Sequence, residues 1–541
     1  MFSDKQKLYL PLIIAIAFVA GMLASLALYR GETKVLGFKM PRKDKLTTVI
    51  DYVRSEYVDA VNTDSIIEMA IPHFLQELDP HSVYFNADEA KAMNEPLEGN
   101  FEGIGIQFSV TNDTVLVISI ISGGPSEKAG LKAGDRIITV NDSVIAGIGI
   151  KSDAVVKLLK GKRGTTVKVG VLRKGRSEII AYTLIRDKIP IKSVDAYYLV
   201  SDDIGYIRIS SFSKTTHSEF VESAFQLSEK GMKKLILDLR GNSGGYLDAA
   251  TNIADEFLTG GKLVVFTEGR ARPRKSVYST DKRAIGVDIE LVVLIDEFSA
   301  SASEIVAGAI QDNDRGWVIG RRSFGKGLVQ EPTVFNDGSM LRLTTARYYT
   351  PSGRCIQKNY SAGYESYYDE IMERYLHGEF EEADSIQFND SLKYTTTGGR
   401  TVYGGGGIMP DIFVGIDSML FSPVLRLIGD YGFAYSFALN YSDKNRSELS
   451  DFEHADALIA HLDQKNTMND FFNYLRSQKV KISYYQFNSM HTYIRAQVYA
   501  YIVRNIFDDN AFYPLINRID PVYIKAVEVF ENNRPLIESQ K

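Results

Sequence analysis

Apolar positions along the middle of this chain come in short runs separated by glycine and polar turns. Leu235–Leu239 is a buried-strand run, and Ile289–Ile295 is a short apolar, β-branched one. Thr114–Ile121, Arg136–Val140, Thr166–Arg173 and Trp317–Ile319 are strand-like too. The period changes after Ile295, where Ala302, Ile305, Val306, Ala309 and Ile310 recur at the spacing of one helix face. Asp153–Lys160 suits a shorter helix. Residues 40–95 read as helical around a turn at Leu78–Tyr84, in which His81 is a structural turn residue. From about 416 to 541 the chain is aromatic and helix-like, as in Phe471–Leu475 and Tyr493–Phe507, and its stripes read as core and packing surface. At the other end, Leu8–Leu28 is uncharged and almost wholly apolar. About 20 such residues span a bilayer, so a transmembrane helix or signal anchor is expected over residues 1–30.

A chain of 541 residues has room for about three or four domains. A net charge of −6 and a pI near 5.8 argue against a nucleic-acid partner. The single cysteine cannot join an intrachain disulfide, and the seven histidines show no metal-ligand spacing. No metal or other cofactor is expected.

The chemistry begins where the Ile289–Ile295 strand turns into the helix, because serines sit at that helix's N-terminus. There the first backbone N–H groups lack helical partners and the macrodipole adds partial positive charge, so a developing oxyanion is stabilised. Ser301-Ala-Ser-Glu304 also spells a capping box, and caps are commoner than nucleophiles. Lys326 shifts that balance. A serine needs a base, and a lysine serves only if desolvation or a nearby cation lowers its pKa from about 10.4 towards neutrality. Lys326 lies between Gly325 and Gly327 with Phe324, Leu328 and Val329 around it, a setting that suits burial. If Lys326–Gln330 is extended, even spacing puts the Gln330 amide on the same face as the amine, where it can orient it.

Two other patterns carry less. Gly320–Gly327 resembles a phosphate loop, but Gly327 stands where a magnesium-binding Ser or Thr belongs and no helix follows. Gly241-Asn-Ser-Gly-Gly245 resembles the nucleophile loop of chymotrypsin-like proteases, yet His217 is too close in sequence and the preceding strand suits an α/β sheet. The glycines matter more than Ser243, since such a turn can bring a backbone N–H close to a substrate carbonyl.

Leu237–Gly245, Ser299–Glu304, Phe324–Gln330 and Gly404–Asp411 together resemble the motifs, in order, of the C-terminal processing peptidases, or tail-specific proteases. These are Ser/Lys serine proteases carrying a PDZ domain. The resemblance implies Ser301 as nucleophile, Lys326 as general base and Gln330 as the residue orienting the lysine. It implies an oxyanion hole from the backbone N–H of Ala302 and of a glycine in the Gly244-Gly245 pair. The resemblance also implies, from some members, a bearing of Asp312 on activity; by sequence it reads equally as a helix C-terminal residue and stays outside the catalytic set.

Residues 101–186 read independently as a small β domain and resemble a permuted PDZ domain, with Gly103, Ile104, Gly105 and Ile106 as the loop that binds a peptide carboxylate. The expected fold is α+β and multidomain. It comprises an N-terminal membrane helix (1–30), a helical N-terminal region (31–100), the PDZ domain (101–186), an α/β protease core of the crotonase/ClpP-like type (187–415, with an insertion at about 364–394) and a helical C-terminal domain (416–541). Arg30, Lys34, Lys39, Arg42, Lys43 and Lys45 would by charge keep the body cytoplasmic. The resemblance implies export instead, so a single-pass anchor with an extracytoplasmic, periplasmic body is expected. The expected partners are proteins with apolar C-termini, the membrane, and a second copy or an activator. The expected function is a membrane-anchored serine endopeptidase of the cell envelope. A catalytically inert PDZ adaptor and an acyl-CoA hydratase-like enzyme are the rival readings, which the intact Ser301, Lys326 and Gln330 set disfavours.

Overall fold

The computed structural model describes residues 4–29, 44–111, 113–282, 285–286, 288–387 and 389–532. Arg30, Lys34, Lys39, Arg42 and Lys43, used above for orientation, lie outside the described residues. Residues 1–71 and 72–541 form two compact units.

In the first unit, Asp4–Tyr29 is helical, as is Lys45–Glu56. The Asp44 carboxylate caps the latter by accepting the Thr47 N–H at 2.7 Å. The expected membrane helix is overturned. A helical span needs about 20 consecutive, predominantly apolar residues, and among the described residues no helix is long and apolar enough to cross a membrane. The membrane-anchored, single-pass localisation and the membrane as a partner fall with it.

The second unit is α+β and multidomain. Its central sheet runs, in spatial order, Val194–Leu199, Ile204–Ile209, Lys234–Asp238, Glu290–Ile295, Trp317–Gly320 and Ile412–Phe413. The first pair is antiparallel and the rest are parallel. A parallel sheet must be covered on both faces, and the period-two pattern shows how. Leu235, Leu237, Leu291 and Val293 point into a cluster with helices Thr216–Glu229, Leu247–Asp255 and Ala302–Asp312. Ile236, Val292 and Leu294 point the other way, onto Val522, Tyr523, Ala526 and Phe530 of the helix Pro521–Glu531. The last described helix of the chain therefore covers the far face of this sheet.

A second sheet carries the hairpin Leu328–Val334 and Met340–Tyr349. The strand Val83–Phe85 pairs with the start of Met340–Tyr349. Leu263–Gly269 takes the same strand's other end, pairing at Tyr349 to Arg347. A third, antiparallel sheet over residues 106–185 encloses Val115, Val117, Ile137, Val155 and Val169, with Ile106–Thr111 as an edge strand. Helices between Pro423 and Ile506 build a separate core around Phe437, Phe471, Leu475 and Val498.

Candidate active site

Three neighbouring strands of the central sheet end on one side. Lys234–Asp238 pairs in parallel with Glu290–Ile295, and that strand with Trp317–Gly320. Segments leaving the carboxyl ends of adjacent parallel strands meet outside the sheet, where α/β folds place their ligands. The glycine loop, the serine turn and the lysine turn are those three segments.

Ser301 precedes the helix Ala302–Asp312 with φ at 56°. A non-glycine residue there is strained by roughly 1–3 kcal/mol and persists only when its surroundings hold it. The surroundings are specific. The Ser301 N–H donates to Glu304 Oε2 at 2.7 Å, as the Ser-x-x-Glu spelling predicts, so the cap and the strained turn coexist. Gly244 is pressed against the turn: a Cβ there would lie 2.8 Å from Ser301 Cβ and 3.0 Å from the Ala302 nitrogen.

Asn242, fully buried, fixes this approach. Its carbonyl accepts the Ala300 N–H at 3.0 Å and the Ser303 hydroxyl at 2.8 Å. Its side chain donates to the Ile209 carbonyl and accepts the Gly244 N–H at 2.8 Å. Gly245 bridges to Phe212, whose carbonyl accepts the Tyr246 N–H. Among the described residues the Gly245 N–H has no acceptor, unlike that of Gly244.

The lysine turn is tied to the serine turn twice. Glu304 Oε1 accepts the Ser323 hydroxyl at 2.5 Å and the Gly325 N–H at 2.7 Å, while Oε2 accepts the Lys326 N–H at 2.9 Å. The Tyr348 hydroxyl lies 2.7 Å from the Lys326 carbonyl and 3.1 Å from that of Ser301. Gly404–Asp411 supports the turn from outside, with the Ile408 N–H donating to Ser323 Oγ at 2.6 Å. Burial pushes the Lys326 amine down to about 8, helped by the Arg342 guanidinium and opposed by Glu304 and Asp79. Burial likewise pushes Glu304 up to about 7, against its four hydrogen bonds.

Gln330 lies on Leu328–Val334, two residues into a strand that Lys326 precedes. Its amide donates to Thr344 Oγ1 at 3.4 Å, and no bond to Lys326 is formed among the described residues. Gly103 ends the strand Asn100–Gly103, Ile104 is buried, Gly105 has φ at 78°, and Ile106 opens the edge strand. His217 Nε2 pairs with Glu256 at 2.9 Å. His81 Nε2 meets the Tyr367 hydroxyl at 2.8 Å, and burial together with Lys326 holds its pKa down to about 3. Asp312 pairs with buried Arg354 at 2.7 Å. Sequence reasoning passed over Asn242 and Tyr348 and saw Glu304 only as a cap. Its position three residues after Ser301 was the available signal, and the three donors of the lysine turn came only with the fold.

Residues 203–364 match the model of peptidase family S41 and residues 103–184 that of a PDZ domain. The chain is 34% identical over 360 residues to the carboxy-terminal processing protease CtpA of Bacillus subtilis, covering 65% of this chain and 76% of that protein. The chain belongs to the carboxy-terminal processing proteases. It is 38% identical over 315 residues to the carboxy-terminal-processing protease of Bartonella bacilliformis, covering 57% of this chain and 71% of that one. This protease is a serine-type endopeptidase. Its residues 425–508 match a further family of unknown function, DUF8443.

Proposed function

We propose that the protease cleaves proteins it selects by an apolar C-terminal tail, with Ser301 as nucleophile, Lys326 as general base and Gln330 as the amide that orients the lysine. Ser301 Oγ attacks the scissile carbonyl carbon while Lys326 Nζ takes its proton. The negative charge on the carbonyl oxygen is met by the N–H of Ala302 and that of Gly245, the glycine donor left uncommitted. Lys326 passes its proton to the departing amine. It then takes one from water, whose oxygen attacks the acyl carbon, and returns that proton to Ser301 Oγ as the ester bond breaks and the acid product leaves. The observation that carries this reading is the approach of Gly244 to Ser301 and the Ala302 nitrogen, which puts the glycine loop beside the strained serine.

The edge strand Ile106–Thr111, entered through Gly103–Ile106, suits addition of a peptide strand whose terminal carboxylate meets the loop amides. The domain limits that fit are 101–186 for this module, 187–415 for the protease core with its insertion at about 364–394, and 416–541 for the C-terminal region. The test is hydrolysis of an unfolded reporter protein by the full chain and by its Ser301→Ala and Lys326→Ala forms. The reporter is supplied with an apolar and with a charged C-terminal tail. Cleavage by the parent alone, faster on the apolar tail, is expected. Persistent cleavage by Ser301→Ala overturns the nucleophile, and equal rates on both tails overturn the selection.

A further inference from the structure

Gln330 stands directly opposite Thr344 in the hairpin, with a register shift between Val329 and Gln330. Such an irregularity re-aims a side chain. Gln330 Nε2 lies 3.4 Å from Thr344 Oγ1, and that hydroxyl donates to Asp79 Oδ1 at 3.0 Å. A threonine hydroxyl has one proton, and an ionised carboxylate can only accept. With the proton committed to Asp79, Thr344 Oγ1 faces Gln330 as an acceptor and only the NH2 end of the amide satisfies it. The carbonyl end of Gln330 is then the one left for the lysine amine.

Asp79 is built into this position. It is buried and accepts the His81 N–H at 2.8 Å, the Ser82 N–H at 2.8 Å and the Ser82 hydroxyl at 2.6 Å. Ser82 Oγ in turn accepts the Thr344 N–H at 3.1 Å. The next residues, Val83–Phe85, pair with Arg342–Met340. The turn at 79–82 is thus fastened to the strand that faces Gln330. The charged groups that bear on Lys326 are Arg342 on that strand, Glu304 on the serine helix and Asp79 on the turn, with His81 beside it.

We infer that Asp79 and Thr344 are positioning residues of the proteolytic centre: Asp79, through the Thr344 hydroxyl, sets which end of the Gln330 amide meets Lys326. This rests on the assignment of Ser301, Lys326 and Gln330 above. It makes the Leu78–Tyr84 turn, which the sequence reads as structural, a working part of the active site.

The full chain is compared with Thr344→Val, Thr344→Ser, Asp79→Asn and, as control, Ser301→Ala. The readouts are kcat and KM on the reporter across pH, with a melting curve for each protein. Thr344→Val, free to turn its amide over, is expected to lose about 10²-fold in kcat at unchanged KM, the scale of a misplaced catalytic group. Thr344→Ser, which keeps the hydroxyl, restores kcat. Asp79→Asn lowers kcat and moves the pH midpoint of kcat downward, because a carboxylate favouring the ammonium form is gone. Equal kcat in the Val and Ser forms, or an Asp79→Asn profile that keeps the parent's midpoint and kcat, overturns the inference. If Thr344→Val does not fold, the Asp79→Asn profile decides. Cleavage surviving in Ser301→Ala instead overturns the underlying assignment, so the two failures are told apart.

Discussion

Glu304 accepts the backbone N–H of Lys326 at 2.9 Å with the same oxygen that accepts the Ser301 N–H at 2.7 Å. One buried carboxylate thereby spans the serine and lysine turns, and its other oxygen holds Ser323 and Gly325. All four partners are donors, so an amide cannot replace it: Glu304→Gln sets an NH2 group against two of them. Each buried group left unsatisfied costs about 1–3 kcal/mol. Glu304→Gln is expected to lower both the melting temperature and kcat, measured by thermal unfolding and reporter hydrolysis.

As the proposed general base, Lys326 has to be neutral to take the serine proton, so kcat/KM is expected to rise with pH through about 8, the value to which burial and Arg342 push Lys326. Arg342→Met removes a nearby cation and lets the ammonium form persist to higher pH. Its profile is expected to shift upward, as pH-dependent kinetics would show. A profile that does not move means that Arg342 does not act on Lys326.

Gly244 and Gly245 leave no room for a side chain. A Cβ at Gly244 would sit 2.8 Å from Ser301 Cβ, and one at Gly245 would sit 2.0 Å from the Phe212 carbonyl oxygen. Both residues have positive φ, 107° and 148°. Gly244→Ala is expected to abolish cleavage by displacing Ser301. Gly245→Ala is expected to destabilise the chain more, since its clash with the Phe212 backbone is the closer one. Melting curves beside activity assays separate the two effects.

The closing helix also reaches the active site. Asp520, at the N-terminus of Pro521–Glu531, accepts from Arg240 at 2.7 Å, and Arg240 grips buried Asp238 immediately before the glycine loop. Losing a hydrogen bond to a charged group costs about 1.5–3 kcal/mol. Asp520→Ala is expected to destabilise the chain by that order, read from denaturant unfolding. Deleting residues from 520 onward uncovers Ile236, Val292 and Leu294 and is expected to yield an inactive, aggregating protein.

The PDZ sheet meets the C-terminal helices at Arg136 and Asp443, 2.7 Å apart, and Lys174 donates to the Lys444 carbonyl at 2.7 Å. Asp443→Ala is expected to loosen this seam while leaving the catalytic groups untouched. Hydrogen exchange should then rise over Arg136–Val140, and unchanged exchange there would mean that the pair does not restrain the domain.

The chain by itself determined the local elements and the chemistry they carry. Apolar runs at Leu235–Leu239 and Ile289–Ile295 point to buried strands because strands of a parallel sheet are covered on both faces and read as near-continuous apolar runs. The Ser-x-x-Glu spelling specifies a helix start at Ser301, and glycines around Lys326 specify a tight turn, since both are short-range effects. An apolar stretch at Leu8–Leu28 suggested a membrane span by composition, yet among the described residues no helix is long and apolar enough to cross a membrane. Only the tertiary structure decided what those elements meet. It brought Asn242 to Ala300 and Ser303, and Asp79 through Thr344 to Gln330, across separations in sequence that leave no periodic trace. It also set Pro521–Glu531 on the protease sheet, because an amphipathic pattern states that a helix has a buried face and leaves its partner to the packing of the whole chain.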